Sequence, residues 1–113
     1  MWQVLQTEEF ELWFTNLTEA VKEDIFASIT VLGVHGPSLG RPRVDTIKNS
    51  FYKNMKELRI QSSGNPYRIF FAFDPERRAI LLIGGNKKGD KRFYEKIIPI
   101  ADKLFARYLE DMK

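Results

Sequence analysis

The segment KELRIQSSGNPYRIFFAFDPERRAILLI, residues 56–83, contains three apolar runs separated by residues typical of turns. Residues 56–61 and 67–74 have the alternating pattern of half-buried strands, and residues 79–83 form an unbroken apolar run, as expected of a strand that is covered on both faces. Residues 62–66 and the pair Asp74-Pro75 supply turn chemistry between these runs. Three consecutive strands joined by short turns predict an antiparallel meander.

Alternation also sorts the side chains of the first two strands onto two faces. On the first strand, Leu58 and Ile60 share one face, and Glu57, Arg59 and Gln61 share the other. On the second strand, one face carries Tyr67, Ile69, Phe71 and Phe73, and the opposite face carries Arg68, Phe70 and Ala72. If the strands pair in register, the charged side chains Glu57, Arg59 and Arg68 converge on one water-facing patch.

Two helices are predicted ahead of the meander. Residues 2–6 alternate as a short strand, and Thr7 follows as a good N-cap with acidic residues in the first turn. Thr18 caps a second helix, which the glycines and proline of residues 33–37 end. Helices joined so closely predict an antiparallel hairpin. Residues 38–54 have no periodicity and predict a basic surface loop.

A third helix is predicted after the meander. Gly84 and Gly85 are expected to end the third strand, and residues 86–92 form a basic loop. Pro99 lies within the helical pattern and lacks the N–H of a helix interior, so we expect a short turn at residues 92–96 and a new helix from about Ile98. The order β-α-α-β-β-β-α predicts a single α+β domain over residues 1–113.

The composition excludes several classes of site. The chain has no cysteine and one histidine, His35, so it cannot form a disulfide framework, a thiolate metal site or a histidine-rich zinc site. We expect no metal and no cofactor. The sequence contains no apolar stretch that could span a bilayer and no secretory signal pattern, which predicts a cytoplasmic protein without membrane contact.

Charge is distributed unevenly along the chain. Residues 1–37 hold one lysine against six acidic residues, whereas residues 38–96 hold 14 basic against 6 acidic residues, a net charge of +8. A basic block of this kind attracts polyanions, and nucleic acid is the leading class of partner. The alternative interpretation is a solvated basic face.

The polar residues of the meander match the needs of RNA cleavage by the substrate's own 2′-hydroxyl. That reaction requires a base for the hydroxyl, cations for the charge that develops on the phosphate, and an acid for the leaving 5′ oxygen. Glu57 is the candidate base, and the guanidinium groups of Arg59 and Arg68 suit the phosphate. The alternative is a surface ion pair between Glu57 and its two arginines.

Further residues are candidates for RNA binding. The aromatic side chains of Phe70, Phe93 and Tyr94 could stack on an unpaired base. The predicted RNA-binding set consists of Arg41, Arg43, Lys53, Lys56, Lys87, Arg92 and Phe93.

Four motifs resemble those of the HigB-like toxins within the RelE/ParE superfamily: LGRP at residues 39–42, KELR at 56–59, YRIFFAFDP at 67–75 and GDKRFY at 89–94. The resemblance covers essentially the whole chain. It implies a RelE-like fold and a cytoplasmic toxin of a type II toxin–antitoxin module, inhibited by a helix-turn-helix (HigA-like) antitoxin. It also implies ribosome-dependent cleavage of mRNA in the decoding site, with the active surface at Glu57, Arg59, Arg68, Lys88, Lys91 and Tyr94. On this surface the candidate acids are Lys88, Lys91 and Tyr94.

Two other functions are compatible with the same residues. The same scaffold in the ParE-like branch inhibits gyrase without cutting RNA, and fold does not decide between the two activities. The third possibility is a phage-derived RNA-binding or interaction module that has lost activity. The charged cluster around Glu57 favours cleavage, because an inhibitor needs no base beside its phosphate-binding groups.

Overall fold

A computed structural model describes all residues 1–113 and has one mixed five-stranded sheet in the order β1-β5-β4-β3-β2. The strands are β1 (Val4–Gln6), β2 (Val44–Thr46), β3 (Lys56–Ser62), β4 (Asn65–Phe73) and β5 (Ala79–Asn86). The helices are α1 (Glu8–Thr15), α2 (Glu19–His35) and α3 (Phe93–Asp111). The α+β class and the antiparallel meander of β3, β4 and β5 are confirmed. None of the helices is both long and apolar enough to cross a membrane.

The two edges of the sheet are short strands. β1 pairs in parallel with β5, and β2 pairs antiparallel with β3. A parallel pair requires a long crossover connection, and the chain between β1 and β5, which includes α1 and α2, is long enough to supply it. The sequence interpretation of residues 38–54 as loop throughout was wrong, because it missed β2. A strand of three residues is too short to display alternation. Its pairing partner, β3, lies outside residues 38–54, so the sequence of those residues does not indicate the pairing.

Threonine side chains begin both N-terminal helices, as predicted. Thr7 accepts a hydrogen bond from the N–H of Phe10 at 3.0 Å, and its own hydroxyl donates to the carbonyl oxygen of Leu82 at 2.7 Å. Thr18 accepts from the N–H of Val21. The helices pack on the sheet, α1 on β5 and α2 on β3. The first cap therefore fixes α1 to the central part of the sheet as well as starting it.

The sheet separates two apolar cores, and the predicted division of side chains between its faces is confirmed. The core between the sheet and the helices α1 and α2 contains Phe10, Ile25, Leu32, Leu58, Ile60, Tyr67, Ile69 and Phe71. The core between the sheet and α3 contains Phe70, Ala72, Ile80, Leu82, Phe93, Ile97, Ala101 and Phe105. Glu57 and Arg59 of β3 and Arg68 of β4 lie on the α3 face, next to this second core.

The C-terminal part differs from the prediction in two respects. β5 continues through Gly84 and Gly85 to Asn86, and α3 is one helix from Phe93 with Pro99 inside it. Pro99 cannot donate to the carbonyl of Glu95, but both residues are exposed, so water can satisfy that carbonyl. Ile97, Ile98 and Ala101 are buried on either side of the proline. Their packing against the sheet stabilises the helix across the interruption.

Candidate active site

Glu57 is the centre of the polar cluster. It lies in the middle of β3 and is only 3% exposed. Its Oε2 accepts a hydrogen bond from Nε of Arg59 at 3.1 Å, and its Oε1 accepts one from the hydroxyl of Tyr94 at 2.8 Å. Nε of Arg68 lies 3.7 Å from the same Oε1. Glu57 and Arg68 therefore point to the same side of the sheet, as expected. The expectation that Glu57 faces water was wrong, because α3 places Tyr94 over it.

Arg59 and Arg68 lie directly opposite each other on β3 and β4. Like charges in such a pair repel, and Glu57 compensates by contacting both guanidinium groups. Nε of Arg68 is buried and has no hydrogen-bond partner, although another nitrogen of that guanidinium donates to the carbonyl of Tyr67 at 3.0 Å. The site thus holds two adjacent cations and an unused buried donor, which are features suited to an incoming anion.

Asp45 of β2 extends the network on the outer side. It accepts a hydrogen bond from Arg59 at 3.1 Å and lies 3.8 Å from Nε of Arg41. Burial would lower the pKa of Arg59, but the hydrogen bond and charge of Glu57, together with the charge of Asp45, raise it. Arg59 therefore carries a fixed positive charge at any physiological pH.

Tyr94 connects the first turn of α3 to this network. Its ring is half-buried, lies edge-on against Phe70, and has Nζ of Lys87 above it at 5.5 Å from the ring centroid. Burial and the carboxylate of Glu57 raise the pKa of the Tyr94 hydroxyl, and Arg68 opposes this effect. The phenol consequently remains protonated near neutral pH and acts as a hydrogen-bond donor.

An open cleft of about 340 Å3 gives access to the cluster. It is lined by Asp45, Thr46, Ile47, Lys48, Asn49, Glu57, Arg59, Tyr94 and Ile98. Asp45, Lys48 and Asn49 were not among the predicted site residues. The only sequence signal for them was the short run Val44–Thr46, whose pairing with β3 brings the segment beside Glu57.

The lysine-rich turn after β5 lies at the border of the site. Lys87 is half-buried over Tyr94, whereas Lys88, Lys91 and Arg92 are exposed. Arg92 precedes α3, and its Nε lies 3.9 Å from Oε2 of Glu95 in the first turn of that helix. Of the three candidate acids, the structure places Tyr94 in contact with Glu57 and leaves Lys88 and Lys91 at the surface.

Several predicted RNA-binding residues lie elsewhere. Phe70 is fully buried and Phe93 is 5% exposed, so neither can stack on a base. Phe93 packs in the α3 core, where Gly85 leaves room for its ring. Lys56 lies on the other face of β3 from Glu57 and donates to Thr46 at 3.2 Å.

The remaining predicted RNA-binding residues are on the surface. Arg41 and Arg43 precede β2, next to Asp45, and both are exposed. Lys53 is exposed in the connection between β2 and β3. None of these three side chains forms an ion pair with Glu57, and Arg41 adds positive charge beside the cleft through its contact with Asp45.

The arrangement contains the groups that a phosphodiester reaction needs. A carboxylate, two guanidinium groups and a protonated phenol meet within hydrogen-bonding or ion-pairing distance. The carboxylate can take up a proton, the guanidinium groups can bind phosphate oxygens, and the phenol can donate a proton.

Comparison with known proteins gives consistent results. The family model described as "Phage derived protein Gp49-like (DUF891)" matches residues 12–106. Two proteins of Mycobacterium tuberculosis, named "Putative toxin HigB2" and "Putative toxin HigB3", are 47% and 45% identical to this chain, and each alignment covers 94% of it. The chain spans 55% of the length of the first relative and 92% of the second.

A solved structure supports the fold. A mutant of the Escherichia coli toxin RelE in the free state superimposes with a TM-score of 0.58, covering 85% of this chain and 94% of that one. The sequence identity is 13%, so this likeness concerns the fold alone.

Proposed function

Because this chain belongs to the phage-derived Gp49-like family and is a HigB-like toxin of the RelE/ParE superfamily, we propose that it inhibits translation as an mRNA interferase, an endoribonuclease that cuts mRNA on the ribosome. The observation that carries the proposal is the convergence of Glu57, Arg59, Arg68 and Tyr94 at one cleft.

The proposed reaction uses the 2′-hydroxyl of the substrate. Glu57 removes the proton of this hydroxyl, and the oxygen attacks the adjacent phosphorus. The bond from phosphorus to the 5′ oxygen breaks, leaving a 2′,3′-cyclic phosphate on the upstream fragment and a 5′-hydroxyl on the downstream fragment. Arg59 and Arg68 stabilise the charge on the phosphate oxygens. The proposed chemistry uses side chains alone, without a metal or a cofactor.

Tyr94 is the preferred general acid among the three candidates. Its hydroxyl is in the cluster and keeps its proton near neutral pH, because burial and Glu57 raise its pKa. Lys88 and Lys91 contribute positive charge at the border of the cleft. In the free protein the hydroxyl of Tyr94 donates to Glu57. Substrate must therefore separate the proposed acid from the proposed base before cleavage.

The ribosome supplies the positioning in this scheme. The decoding site holds a short stretch of mRNA in a fixed conformation, and such preorganisation can lower a reaction barrier substantially. We therefore expect little activity of the free protein on naked RNA. The proposed location is the cytoplasm, where translating ribosomes are found. Efficient cutting without ribosomes would contradict this step.

A toxin of this kind requires an antitoxin partner. Its relatives are named as toxins, and we propose a helix-turn-helix, HigA-like antitoxin for this chain. The direct check is whether the neighbouring gene encodes a small helix-turn-helix protein that restores growth when both genes are expressed together. A neighbour that does not rescue growth would remove this part of the proposal.

Induction of the protein without antitoxin tests the function itself. We expect growth arrest and breaks in translated mRNA, and we expect Glu57→Gln or Arg68→Ala to abolish the breaks. The exposed ion pair of Glu9 and Arg107 provides matched controls, Glu9→Gln and Arg107→Ala, which should remain toxic.

Two other outcomes would replace the proposal. Arrest with intact mRNA and damaged DNA would indicate a ParE-like gyrase inhibitor. Absence of arrest would indicate an inactive RNA-binding or interaction module.

A further inference from the structure

The side chain of Phe51 is unusually exposed for a phenylalanine. It lies in the connection between β2 and β3 and is 83% exposed, more than any other large apolar residue except the N-terminal Met1. Exposing an aromatic ring to water is unfavourable, and this ring is not part of either core. Its ring contacts the Tyr52 ring in a T-shaped arrangement, with 5.1 Å between the centroids, but this contact leaves most of the Phe51 side chain in water.

The backbone around Phe51 is firmly held. Asp102 of α3 accepts a hydrogen bond from the Ser50 hydroxyl at 2.5 Å and another from the N–H of Phe51 at 3.0 Å. On the following residue, the N–H of Tyr52 donates to the Ser50 hydroxyl at 3.0 Å, and the Tyr52 ring packs edge-on against Phe105. The exposure of Phe51 is thus a property of an anchored segment.

The segment borders the active-site cleft. Lys48 and Asn49, which precede it, line the cleft together with Arg59 and Tyr94. A second depression of about 210 Å3 continues from Asn49 and Tyr94 along α3 to Pro99. Asp102 lies eight residues after Tyr94, a distance of about 12 Å along a helix. A short single-stranded RNA that enters the cleft can therefore extend to Phe51.

The local chemistry matches recognition of unpaired nucleotides. Exposed Lys48 and Lys53 flank the aromatic ring in sequence. Proteins that bind single-stranded RNA combine aromatic stacking platforms with basic side chains along the backbone path. The two buried phenylalanines of the predicted RNA-binding surface, Phe70 and Phe93, cannot serve as such a platform. Phe51 can, because its ring is 83% exposed and its T-shaped contact with the Tyr52 ring leaves most of it open to solvent.

We propose that Phe51 is a stacking platform for an unpaired nucleobase next to the cleavage site, and that Asp102 positions it. This inference rests on the proposed function, since it assumes that RNA enters the cleft. The base can belong to the mRNA or to the ribosomal RNA of the decoding site.

Equilibrium binding to purified ribosomes tests the inference. Two ligands are needed: vacant ribosomes, and ribosomes carrying an mRNA whose decoding-site codon has 2′-O-methyl groups, so that no 2′-hydroxyl attack can occur. Loss of one stacked base by Phe51→Ala should weaken binding by roughly 5- to 100-fold. If Phe51→Ala weakens binding only to the ribosomes that carry mRNA, the stacked base belongs to the mRNA. Equal weakening with both assigns it to ribosomal RNA.

Two further variants identify the interaction as stacking. Phe51→Trp should retain the affinity of the unmodified protein, whereas Phe51→Leu should bind as weakly as Phe51→Ala. Phe26, an exposed phenylalanine on α2, is the matched control, and Phe26→Ala should bind normally. Asp102→Ala should weaken binding in the same direction as Phe51→Ala. Unfolding midpoints establish that all variants are folded.

The outcomes separate this inference from the proposed function. Normal binding by Phe51→Ala, or by Phe51→Leu, overturns the stacking role even if the protein cuts mRNA. Weakened binding by Phe51→Ala supports the role even if no mRNA is cut, in which case the proposed activity fails alone. Absence of ribosome binding by the unmodified protein overturns both.

Discussion

The hydroxyl of Tyr94, at the start of α3, donates a 2.8 Å hydrogen bond to Glu57 in the middle of β3. This contact joins residues 37 positions apart and covers a carboxylate that also contacts Arg59 and Arg68. It makes Tyr94 part of the fold and part of the proposed reaction, and the two roles can be measured separately.

Replacing Tyr94 by phenylalanine should lower stability modestly and activity strongly. The ring keeps its packing against Phe70, but Glu57 loses one donor, which should reduce the free energy of unfolding by about 1–2 kcal/mol. Loss of a general acid should slow cleavage about 10²- to 10⁴-fold. Urea unfolding and cleavage rates in a reconstituted translation system measure the two effects. Tyr67→Phe, on the other face of the sheet, should change neither rate nor products. A Tyr94→Phe protein with the normal rate would exclude Tyr94 as the acid.

Two substitutions of Glu57 should differ in stability. Both variants remove the anion between Arg59 and Arg68, and Glu57→Ala also removes the acceptor and the volume of the side chain, so for Glu57→Ala we expect a loss of about 3 kcal/mol or more in the free energy of unfolding. Glu57→Gln keeps the shape and a hydrogen-bond acceptor, so its loss should be smaller, about 1–3 kcal/mol. Both should be inactive. Denaturant unfolding of the two variants checks the order, and equal stability would show that the shape and the acceptor kept by glutamine contribute nothing once the carboxylate is lost.

Stability should fall at alkaline pH because of Tyr108. Burial and the hydrogen bond to Asp74 raise the pKa of Tyr108 to about 12. The folded protein therefore holds this proton more tightly than the unfolded chain, in which the pKa is about 10. The resulting stabilisation is fully present below about pH 10 and is lost as the pH rises towards about 12.

Tyr108→Phe tests this assignment. The variant has no phenol to ionise at this position, so its unfolding midpoint should decline less steeply over the same alkaline range. Some decline should remain, because the pKa of Tyr94 is also raised by burial and by Glu57. Parallel decline of the variant and the unmodified protein would exclude Tyr108 as the cause.

Gly84 should not tolerate a larger side chain. A Cβ at this position of β5 would overlap the ring of Trp13 on α1. Gly84→Ala should therefore destabilise the protein by about 1–3 kcal/mol through overpacking. Gly40 has open space around it and no left-handed backbone, so Gly40→Ala should stay within about 0.5 kcal/mol. Thermal unfolding compares the two, and equal stability would show that α1 can move away from β5 without cost.

The sequence predicts the parts of the fold that depend on local patterns. Alternation in β3 and β4 correctly separates Leu58 from Glu57 and Ile69 from Arg68, and the caps Thr7 and Thr18 correctly start two helices. β2 was missed because its pairing with β3 is nonlocal and its three residues carry no pattern. α3 continues past Pro99 because buried neighbours on both sides of the proline hold the helix against the sheet.

The sequence predicted that the main charged residues of the site converge, but it did not predict the burial of Glu57 or of Phe93. The convergence of Glu57, Arg59 and Arg68 follows from strand register, which alternation can indicate. The burial of Glu57 depends on Tyr94, and the burial of Phe93 depends on the room left by Gly85. Such contacts between distant segments cannot be read from the spacing of residues.

The chemical nature of the RNA ends tests the central claim most directly. Fragments from a reconstituted translation reaction with the purified protein can be analysed by ligation and mass spectrometry. Attack by the 2′-hydroxyl predicts a 2′,3′-cyclic phosphate upstream of the cut and a 5′-hydroxyl downstream, with no cut by Arg68→Ala. Fragments with a 3′-hydroxyl and a 5′-phosphate would contradict the proposed mechanism.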